Sequence, residues 1–310
     1  MIKLYKGKYI IEVNTLKLGA IEAGGTKFVC AVGNGEGEVF ERMKVDTDHP
    51  DKTIPAVIEF FKTHQVDALG IASFGPVDVD KDSPTYGNIT STPKPGWKDY
   101  PFISHFEKEL NIPVGFTTDV NGAALGELTY GAAKGLDGCL YITVGTGIGA
   151  GAISNHQLVQ GFSHPEMGHI LVRRHPEDHY EGHCPFHKDC LEGLAAGPAI
   201  EARWGKKGHL LTDHALAWEI EADYLAQALM QYILVLAPKR IIMGGGVMKQ
   251  ERLFPLIREK VKDLLNGYVA FPQVAEHIDD YIVPPGLGDN AGITGALILA
   301  GEAYKTVKVK

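Results

Sequence analysis

One motif occurs twice in this chain of 310 residues, and its repetition constrains the fold more than any other feature of the sequence. Residues 22–34 read EAGGTKFVCAVGN, and residues 143–155 read TVGTGIGAGAISN. Each copy combines the end of a strand, a turn rich in glycine and threonine, and a second strand of small residues that closes on asparagine. A strand, turn and strand unit that is used twice predicts two related α/β lobes facing one cleft.

The segments between and after the two copies predict further strands and helices. Residues 68–75 and 114–119 form short apolar runs that are typical of buried strands. Before the second copy we predict an antiparallel meander from Lys17 and a helix that begins at Pro55. Residues 214–237 have the pattern of a long helix ended by Pro238, and a final helix begins after Asp289-Asn290. The early glycines of that final helix predict close packing against another backbone.

These elements predict a particular domain organisation. The first sixteen residues precede every clear motif, so we interpret them as an extension of vector or mis-started origin, or as an extra edge strand. The remaining chain divides into an N-terminal lobe, which the final helix joins, and a C-terminal lobe with a metal-binding loop. The predicted ranges are 1–16 for the extension, 17–119 with about 290–305 for the first lobe, 120–289 for the second, and 169–190 for the loop.

Composition and charge exclude several classes of protein. With 45% hydrophobic residues and 37 glycines in no three-residue period, the chain is neither disordered nor collagen-like. A net charge of −8 without a lysine or arginine cluster argues against a nucleic acid or a membrane surface as partner. The sequence has no apolar run of about 20 residues and no signal-peptide core, so we expect a cytoplasmic protein that acts on small molecules.

Four glycine-rich turns are candidates for phosphate binding. Phosphate oxygens need several converging backbone N–H donors, and glycine lets the backbone approach a ligand closely. A single such turn is more often only a turn, and none matches a Walker loop or a Rossmann fingerprint. Four in order, two of them in the repeated motif, favour a nucleotide site. They are Gly24-Gly25-Thr26-Lys27, Gly145-Thr146-Gly147, Gly244-Gly245-Gly246 and residues 286–292.

A second constellation has the spacing of a metal site. His169 is followed by Cys184, His187 and Cys190, and two thiolates with two imidazoles satisfy a tetrahedral Zn²⁺ ion. In a reducing compartment a metal explains the cysteines better than a disulfide does. Four protein ligands leave no open position, which predicts a structural metal rather than a hydrolytic one. A surface loop with chance histidines is the alternative, and other histidines nearby compete as ligands, namely His164, His175, His179 and His183.

The motifs, taken together, resemble the ATPase domain that sugar kinases share with heat-shock 70 proteins and actin. At family level the chain is similar to the ROK family (repressor, ORF, kinase) from about Lys17 to Tyr304. The resemblance rests on EAGGTK (22–27), DVNGAA (119–124), EMGH (166–169) and the cysteine-histidine segment. Within the family, EAGGTKF, TPKPGW (92–97) and HCPFHKDC (183–190) are most similar to bacterial members that phosphorylate fructose.

The resemblance implies a fold and an activity. The fold is α/β, a two-lobed actin-like ATPase (ribonuclease H-like) fold with a zinc-binding loop. The activity is ATP-dependent phosphorylation of D-fructose to fructose 6-phosphate, with ATP, Mg²⁺ and Zn²⁺ as cofactors. Asp119 occupies the position of the family's general base, and the alternative from the residues alone is an N-cap for the helix that follows. The nucleotide is held between the two glycine hairpins, and similar kinases are often homodimers.

The resemblance also assigns binding residues. For the sugar they are Glu166, His169, Glu192, Asn88 and Gly75, with Trp97 weaker because a lone tryptophan more often packs than stacks. For the nucleotide they are Gly24, Gly25, Thr26, Lys27, Thr146, Gly147, Pro198, Gly244, Gly245, Gly246 and Val247. The metal ligands are His169, Cys184, His187 and Cys190.

Two residues depart from the commonest family pattern. Glu22 stands where many members carry an aspartate that faces the Mg²⁺-nucleotide, and Thr118 replaces the asparagine that precedes the base in most glucokinases. The second difference weakens the case for glucose. The alternative within the same class is a kinase for mannose, glucose or an N-acetylhexosamine. Two other classes are a sugar-responsive repressor without catalysis and a zinc hydrolase or deaminase. The repressor would need a helix-turn-helix before Gly24, and the hydrolase would need an open metal position.

Overall fold

The computed structural model describes residues 2–5, 8–11, 16–92 and 94–308. The chain divides into two units, which we describe separately. Unit 1 contains the described residues up to Tyr130, residues 160–164 and the described residues from Asp289 onward; unit 2 contains residues 131–159 and 165–288. The division falls after Tyr130, eleven residues beyond the expected boundary at Asp119, because the helix that starts at Asp119 makes its main contacts with elements of unit 1.

Unit 1 is built on a five-stranded sheet. Its central strand pairs antiparallel on one side and parallel on the other, in the order β5-β4-β3-β6-β7. The predicted meander and both predicted buried strands are confirmed. The strands are β3 (Leu18–Ala23), β4 (Lys27–Gly33), β5 (Val39–Asp46), β6 (Ala68–Ser73) and β7 (Val114–Thr118).

The N-terminal segment forms its own small sheet. Strands β1 (Ile2–Tyr5) and β2 (Lys8–Ile11) pair antiparallel with each other, with Ile2 opposite Ile11, so they are not an edge of the five-stranded sheet. The other residues of the predicted extension, Met1, 6–7 and 12–15, lie outside the described residues. Leu16 is buried with Leu18 in the core of unit 1, so that core begins one residue before the predicted start at Lys17.

Four helices complete unit 1: α1 (Pro50–His64), α2 (Phe102–Leu110), α3 (Asp119–Thr129) and α10 (Ala291–Lys308). The predicted start of α1 at Pro55 is wrong, because Pro50 occupies the first turn and Pro55 lies within the helix. A proline at position 55 removes the hydrogen bond to the carbonyl of Asp51 and crowds that carbonyl with its ring, but this falls within the first two turns of the helix. The apolar face of α1 still packs on the sheet through Ile54, Val57 and Phe61.

Backbone packs directly on backbone where α10 meets α3. A Cβ atom added to Gly295 would overlap the carbonyl group of Gly122 on α3, and one at Gly126 would overlap the carbonyl oxygen of Ala291. This contact confirms the predicted close packing of the final helix. Since α3 begins at Asp119, the contact also sets the position of that carboxylate.

Unit 2 repeats the strand arrangement of unit 1. Its sheet order is β10-β9-β8-β11-β12. The central strand β8 pairs antiparallel with β9 and parallel with β11, as the central strand of unit 1 pairs with its two neighbours. The repeated motif therefore forms the same part of both sheets, as the sequence predicts. The strands are β8 (Cys139–Val144), β9 (Ile148–Ser154), β10 (Gln157–Leu158), β11 (Ile241–Gly244) and β12 (Ile282–Val283).

Six helices belong to unit 2. The long predicted helix is confirmed within one residue at each end, and Trp218 and Tyr224 on it are buried in the core of the unit. Among the described residues, no helix is sufficiently long and apolar to traverse a bilayer. The helices are α4 (Leu191–Ala195), α5 (Gly197–Trp204), α6 (Ala215–Leu236), α7 (Leu253–Leu265), α8 (Pro272–Ala275) and α9 (Ile278–Tyr281).

We predict that Gly295→Ala destabilises the protein by about 2 kcal/mol or more, because the new methyl group must push α10 away from α3. Urea unfolding followed by circular dichroism measures the change. The control is Gly208→Ala, whose Cβ would meet Trp218 at an ordinary 3.4 Å. Equal stability of the two variants would contradict the close packing of α10 on α3.

Candidate active site

Asp119 lies at the carboxyl end of β7, at the first position of α3. The N-cap of this helix is Thr118, whose hydroxyl accepts a hydrogen bond from the Asn121 N–H (3.2 Å). One carboxylate oxygen of Asp119 accepts from the Val120 N–H (2.8 Å). The N-cap role considered for Asp119 is therefore performed by its neighbour.

Glu22, on β3, lies among several charged side chains of unit 1. Burial, followed by the nearby negative charge of Asp119, raises the pKa of Glu22 to about 7, although Lys27 and Arg42 act in the opposite direction. Asp289 adds a further negative charge, and Arg42 donates a hydrogen bond to the side chain of Asn290 (2.9 Å). Three carboxyl groups thus share one region of unit 1, which favours the binding of a cation.

The first glycine hairpin joins β3 to β4 in unit 1. Its four-residue turn is closed by a hydrogen bond from the Gly24 N–H to the Lys27 carbonyl (3.0 Å). Thr47 fixes the turn from the side, because its hydroxyl donates to the Gly24 carbonyl (2.7 Å) and its N–H donates to the Thr26 carbonyl (3.0 Å). A Cβ at Gly25 would meet only the end of the Lys94 side chain at 3.5 Å, so this glycine is not required by packing.

Three of the predicted nucleotide segments come together in unit 2. The Gly197 N–H, at the start of α5 beside Pro198, donates to the Gly145 carbonyl (2.8 Å). A Cβ at Gly145 would lie 3.8 Å from the Gly246 nitrogen, and one at Gly197 would lie 3.9 Å from Val247. Residues distant in sequence therefore place backbone amides in one neighbourhood.

Three of the glycines in the predicted nucleotide turns also make close packing contacts within the protein. Gly245 has a φ of +93°, and an added Cβ would overlap the backbone of Val144, so alanine there would strain the free protein. The fourth predicted turn is divided between the units, since Gly286 packs on residues 131–132 of unit 2 whereas Gly292 lies against Glu22 in unit 1.

The predicted metal ligands form a cluster in unit 2. One ligand atom from each of His169, Cys184, His187 and Cys190 lies within 4.8 Å of the others. The Nδ1 atom of His169 is 3.7 Å from the Cys184 sulfur and 3.5 Å from the Cys190 sulfur, and the His187 Nδ1 atom is 3.8 Å from the Cys184 sulfur. Burial, together with Cys184, raises the pKa of the Cys190 thiol to about 11. The cluster could hold a metal ion.

The predicted sugar residues are distributed over both units. In unit 2, Glu166 precedes a 3-10 turn (Met167–His169), and a Glu192 carboxylate oxygen lies 4.0 Å from the His169 Nε2 atom. In unit 1, Gly75 and Asn88 lie in the loop after β6, where the Asn88 carbonyl accepts from the Asp78 N–H (2.9 Å). The structure thus brings His169 and Glu192 together.

Two side chains that the sequence offered as weaker site candidates have other roles in the structure, and a third was not predicted. His164 is no metal ligand, because its Nε2 atom accepts from the Val77 N–H (3.2 Å) in unit 1. Trp97 is buried, donates to the Asp48 carbonyl (2.7 Å) and packs on Phe28, so it belongs to the core; Pro93 of the same segment lies outside the described residues. The proximity of Arg42 to Glu22 was not predicted, and no local motif signals it.

The sheet order in each unit, with its glycine hairpin, defines the class of actin-like ATPase folds. The ROK family pattern matches residues 18–303, and the chain belongs to the ROK family. A Bacillus subtilis (strain 168) protein is 61% identical over 288 residues, which cover 93% of this chain and 96% of that protein. The fructokinase of Pediococcus pentosaceus is 51% identical over 93% of this chain and 99% of its own. The ROK hexokinase structure from Thermus thermophilus matches with a TM-score of 0.77 and 26% identity, covering 95% of this chain and all of that one.

The raised pKa of Glu22 predicts a pH-dependent stability. The pKa of Glu22 is about 7 in the folded protein and 4.5 in the unfolded chain, so the folded state binds the proton more tightly. This contribution to stability is complete below pH 4.5 and is lost as the pH rises through 7. Glu22→Gln should therefore raise the free energy of unfolding by about 1 to 3 kcal/mol at pH 8, with a smaller gain at pH 5. Urea unfolding at both pH values measures this. A gain independent of pH, or one equalled by the exposed control Glu59→Gln, would contradict it.

Proposed function

We propose that the protein is an ATP-dependent fructokinase that transfers the γ-phosphoryl group to the 6-hydroxyl of D-fructose. The observation that carries the proposal is the convergence of the turn 145–147 with Gly197 and Gly246 in unit 2, which brings two glycine-rich segments close together, as main-chain binding of a polyphosphate requires. Fructose is favoured by the curated relative at 51% identity over nearly the full length of both chains. Thr118 stands in place of the asparagine that the resemblance assigns to most glucokinases, which weakens the case for glucose.

Nucleotide binding in this proposal uses main chain more than side chain. The turn 24–27 and the turn 145–147 donate N–H groups to phosphate oxygens, and Gly244–Val247 with Pro198 bind the adenosine. Lys27 adds a positive charge beside the first turn, where its influence on Glu22 indicates that it lies near the carboxyl groups. Such fixed donors stabilise the charge of the transferred group without rearranging during the reaction.

Asp119 is the proposed general base. Its carboxylate accepts the proton of the 6-hydroxyl as the oxygen attacks the γ-phosphorus, and the bond from that phosphorus to the bridging oxygen of ADP breaks. The Val120 N–H donates to one carboxylate oxygen and so helps to orient the group at the start of α3. Glu166, His169 and Glu192 are the proposed partners of the sugar hydroxyls, with Gly75 and Asn88 as further contacts.

Magnesium fits the acidic region of unit 1. Glu22 and Asp289 present the oxygen ligands that Mg²⁺ prefers. Burial raises the pKa of Glu22 most, and a divalent cation would relieve the smaller contribution from the negative charges of Asp119 and Asp289. When bound with ATP, Mg²⁺ supplies neutralisation of the phosphate charge.

Zinc fits the cluster of unit 2. Tetrahedral coordination at ordinary Zn–N and Zn–S lengths separates a nitrogen from a sulfur by about 3.6 Å. The separations of 3.5, 3.7 and 3.8 Å agree with this value. Four ligands complete the shell, so we assign zinc a structural role in ordering the segment that carries His169 and Glu192.

Turnover on a panel of hexoses tests the proposed function. ADP release is measured with D-fructose, mannose, glucose and N-acetylglucosamine, and coupling to phosphoglucose isomerase identifies the 6-phosphate. We expect the highest kcat/KM with fructose. Highest kcat/KM with glucose would overturn the sugar assignment, and no turnover with any hexose would overturn the kinase assignment.

Asp119→Asn should lower kcat about 10² to 10⁴-fold, because the amide cannot accept the proton. Sugar and nucleotide affinity should change little, which isothermal titration calorimetry measures. Asp51→Asn is the matched control, since Asp51 also lies in the first turn of a helix and is exposed. A variant at position 119 with near-normal kcat would remove Asp119 from the role of base.

Metal analysis tests the zinc site. We expect one zinc per chain in the purified protein and less than a tenth of this in Cys184→Ala, because three remaining ligands bind zinc far more weakly. Cys30→Ala is the control, since Cys30 is buried in β4 and outside the ligand cluster. Plasma mass spectrometry measures both, and full zinc retention by Cys184→Ala would contradict this ligand set.

A further inference from the structure

The metal loop and the second glycine hairpin are connected through one short segment of unit 2. Cys190 is the N-cap of α4, and α4 is followed directly by α5. This segment touches both sides of the turn 145–147. The Gly197 N–H donates to the Gly145 carbonyl (2.8 Å), and a Glu192 carboxylate oxygen accepts from the Ile148 N–H (2.9 Å).

The Glu192 carboxylate fills the space beside the turn. A Cβ atom at Gly147 would lie 2.6 Å from the Glu192 Oε2 atom, closer than side chains come in proteins. An alanine at position 147 would make the Glu192 carboxylate move, so this carboxylate lies directly against the turn. Because Ile148 is the first residue of β9, its bond to Glu192 fixes the place where the turn ends and the strand begins.

The other oxygen of the same carboxylate is directed towards the metal cluster. Oε1 lies 4.0 Å from the His169 Nε2 atom, whereas the Nδ1 atom of that ring is 3.5 Å from the Cys190 sulfur. Histidines that bind a metal through one nitrogen commonly give the other N–H to a carboxylate. A separation of 4.0 Å exceeds a direct hydrogen bond, so Glu192 and His169 are neighbours across a short gap.

We propose that Glu192 is a positioning residue for the phosphate-binding turn, and that it transmits the order of the metal loop to residues 145–148. The inference rests on the proposed function. It adds that the metal sets the affinity for nucleotide polyphosphate even without sugar, whereas a purely sugar-binding Glu192 would affect the sugar alone.

The first experiment measures the affinity of the sugar-free protein for Mg-ADP by calorimetry. Glu192→Gln turns a charged acceptor into a neutral one, and we expect five- to thirtyfold weaker binding. Removal of the metal from wild type should weaken binding similarly, and removal from Glu192→Gln should add less than twofold, because both changes act through one contact. Glu201→Gln, an exposed change on α5, is the control and should stay within twofold of wild type.

The second experiment needs no ligand. Amide hydrogen exchange at Ile148 should accelerate at least fivefold in Glu192→Gln and after metal removal, while exchange at Leu140, near the start of β8, stays unchanged. Unchanged Ile148 exchange and Mg-ADP affinity within twofold of wild type in Glu192→Gln would overturn the inference. Wild-type protein that binds no Mg-ADP would instead contradict the proposed function, and the exchange result would still decide whether Glu192 orders the turn.

Discussion

Direct contact between backbone segments is the constraint on which this structure depends. In unit 1, α10 meets α3 with no side chain between Gly295 and the Gly122 carbonyl. This contact fixes the position of the helix that begins at Asp119. In unit 2, the turn after β11 lies on the backbone of Val144 through Gly245. Such contacts allow little adjustment, because a methyl group in either place requires a shift of the whole element. The rigidity places carboxylate and amides at fixed positions.

The repeated motif could be recognised from the sequence because its information is local. Each strand, glycine turn and strand is encoded within about a dozen residues, and both copies fold with the same sheet order. Element boundaries were harder to predict where a local signal was ambiguous. Two prolines lie near the start of α1, and only the packing of its apolar face shows that Pro50 and not Pro55 opens the helix.

In the candidate site, too, features encoded by nearby residues could be predicted from the sequence, and contacts between distant residues could not. Cys184, His187 and Cys190 lie within seven residues, so their spacing alone predicts the cluster that the structure contains. The bond between Glu192 and Ile148 joins residues that are 44 positions apart, and no pattern in either segment announces it. His164 was a plausible metal ligand from proximity in sequence, yet the chain carries it into unit 1. Tertiary contacts of this kind follow from the packed fold and not from spacing.

Glu22 and Gly292 illustrate how a departure from a family pattern is accommodated. The family resemblance leads us to expect aspartate at position 22, and glutamate is one methylene longer. The extra length must fit between β3 and the start of α10. A Cβ at position 292 would lie 2.6 Å from the Glu22 Cδ atom, so the glycine provides that space. The two positions therefore form one unit, in which the glycine lets the longer carboxylate stay close to Asp119 and Asp289.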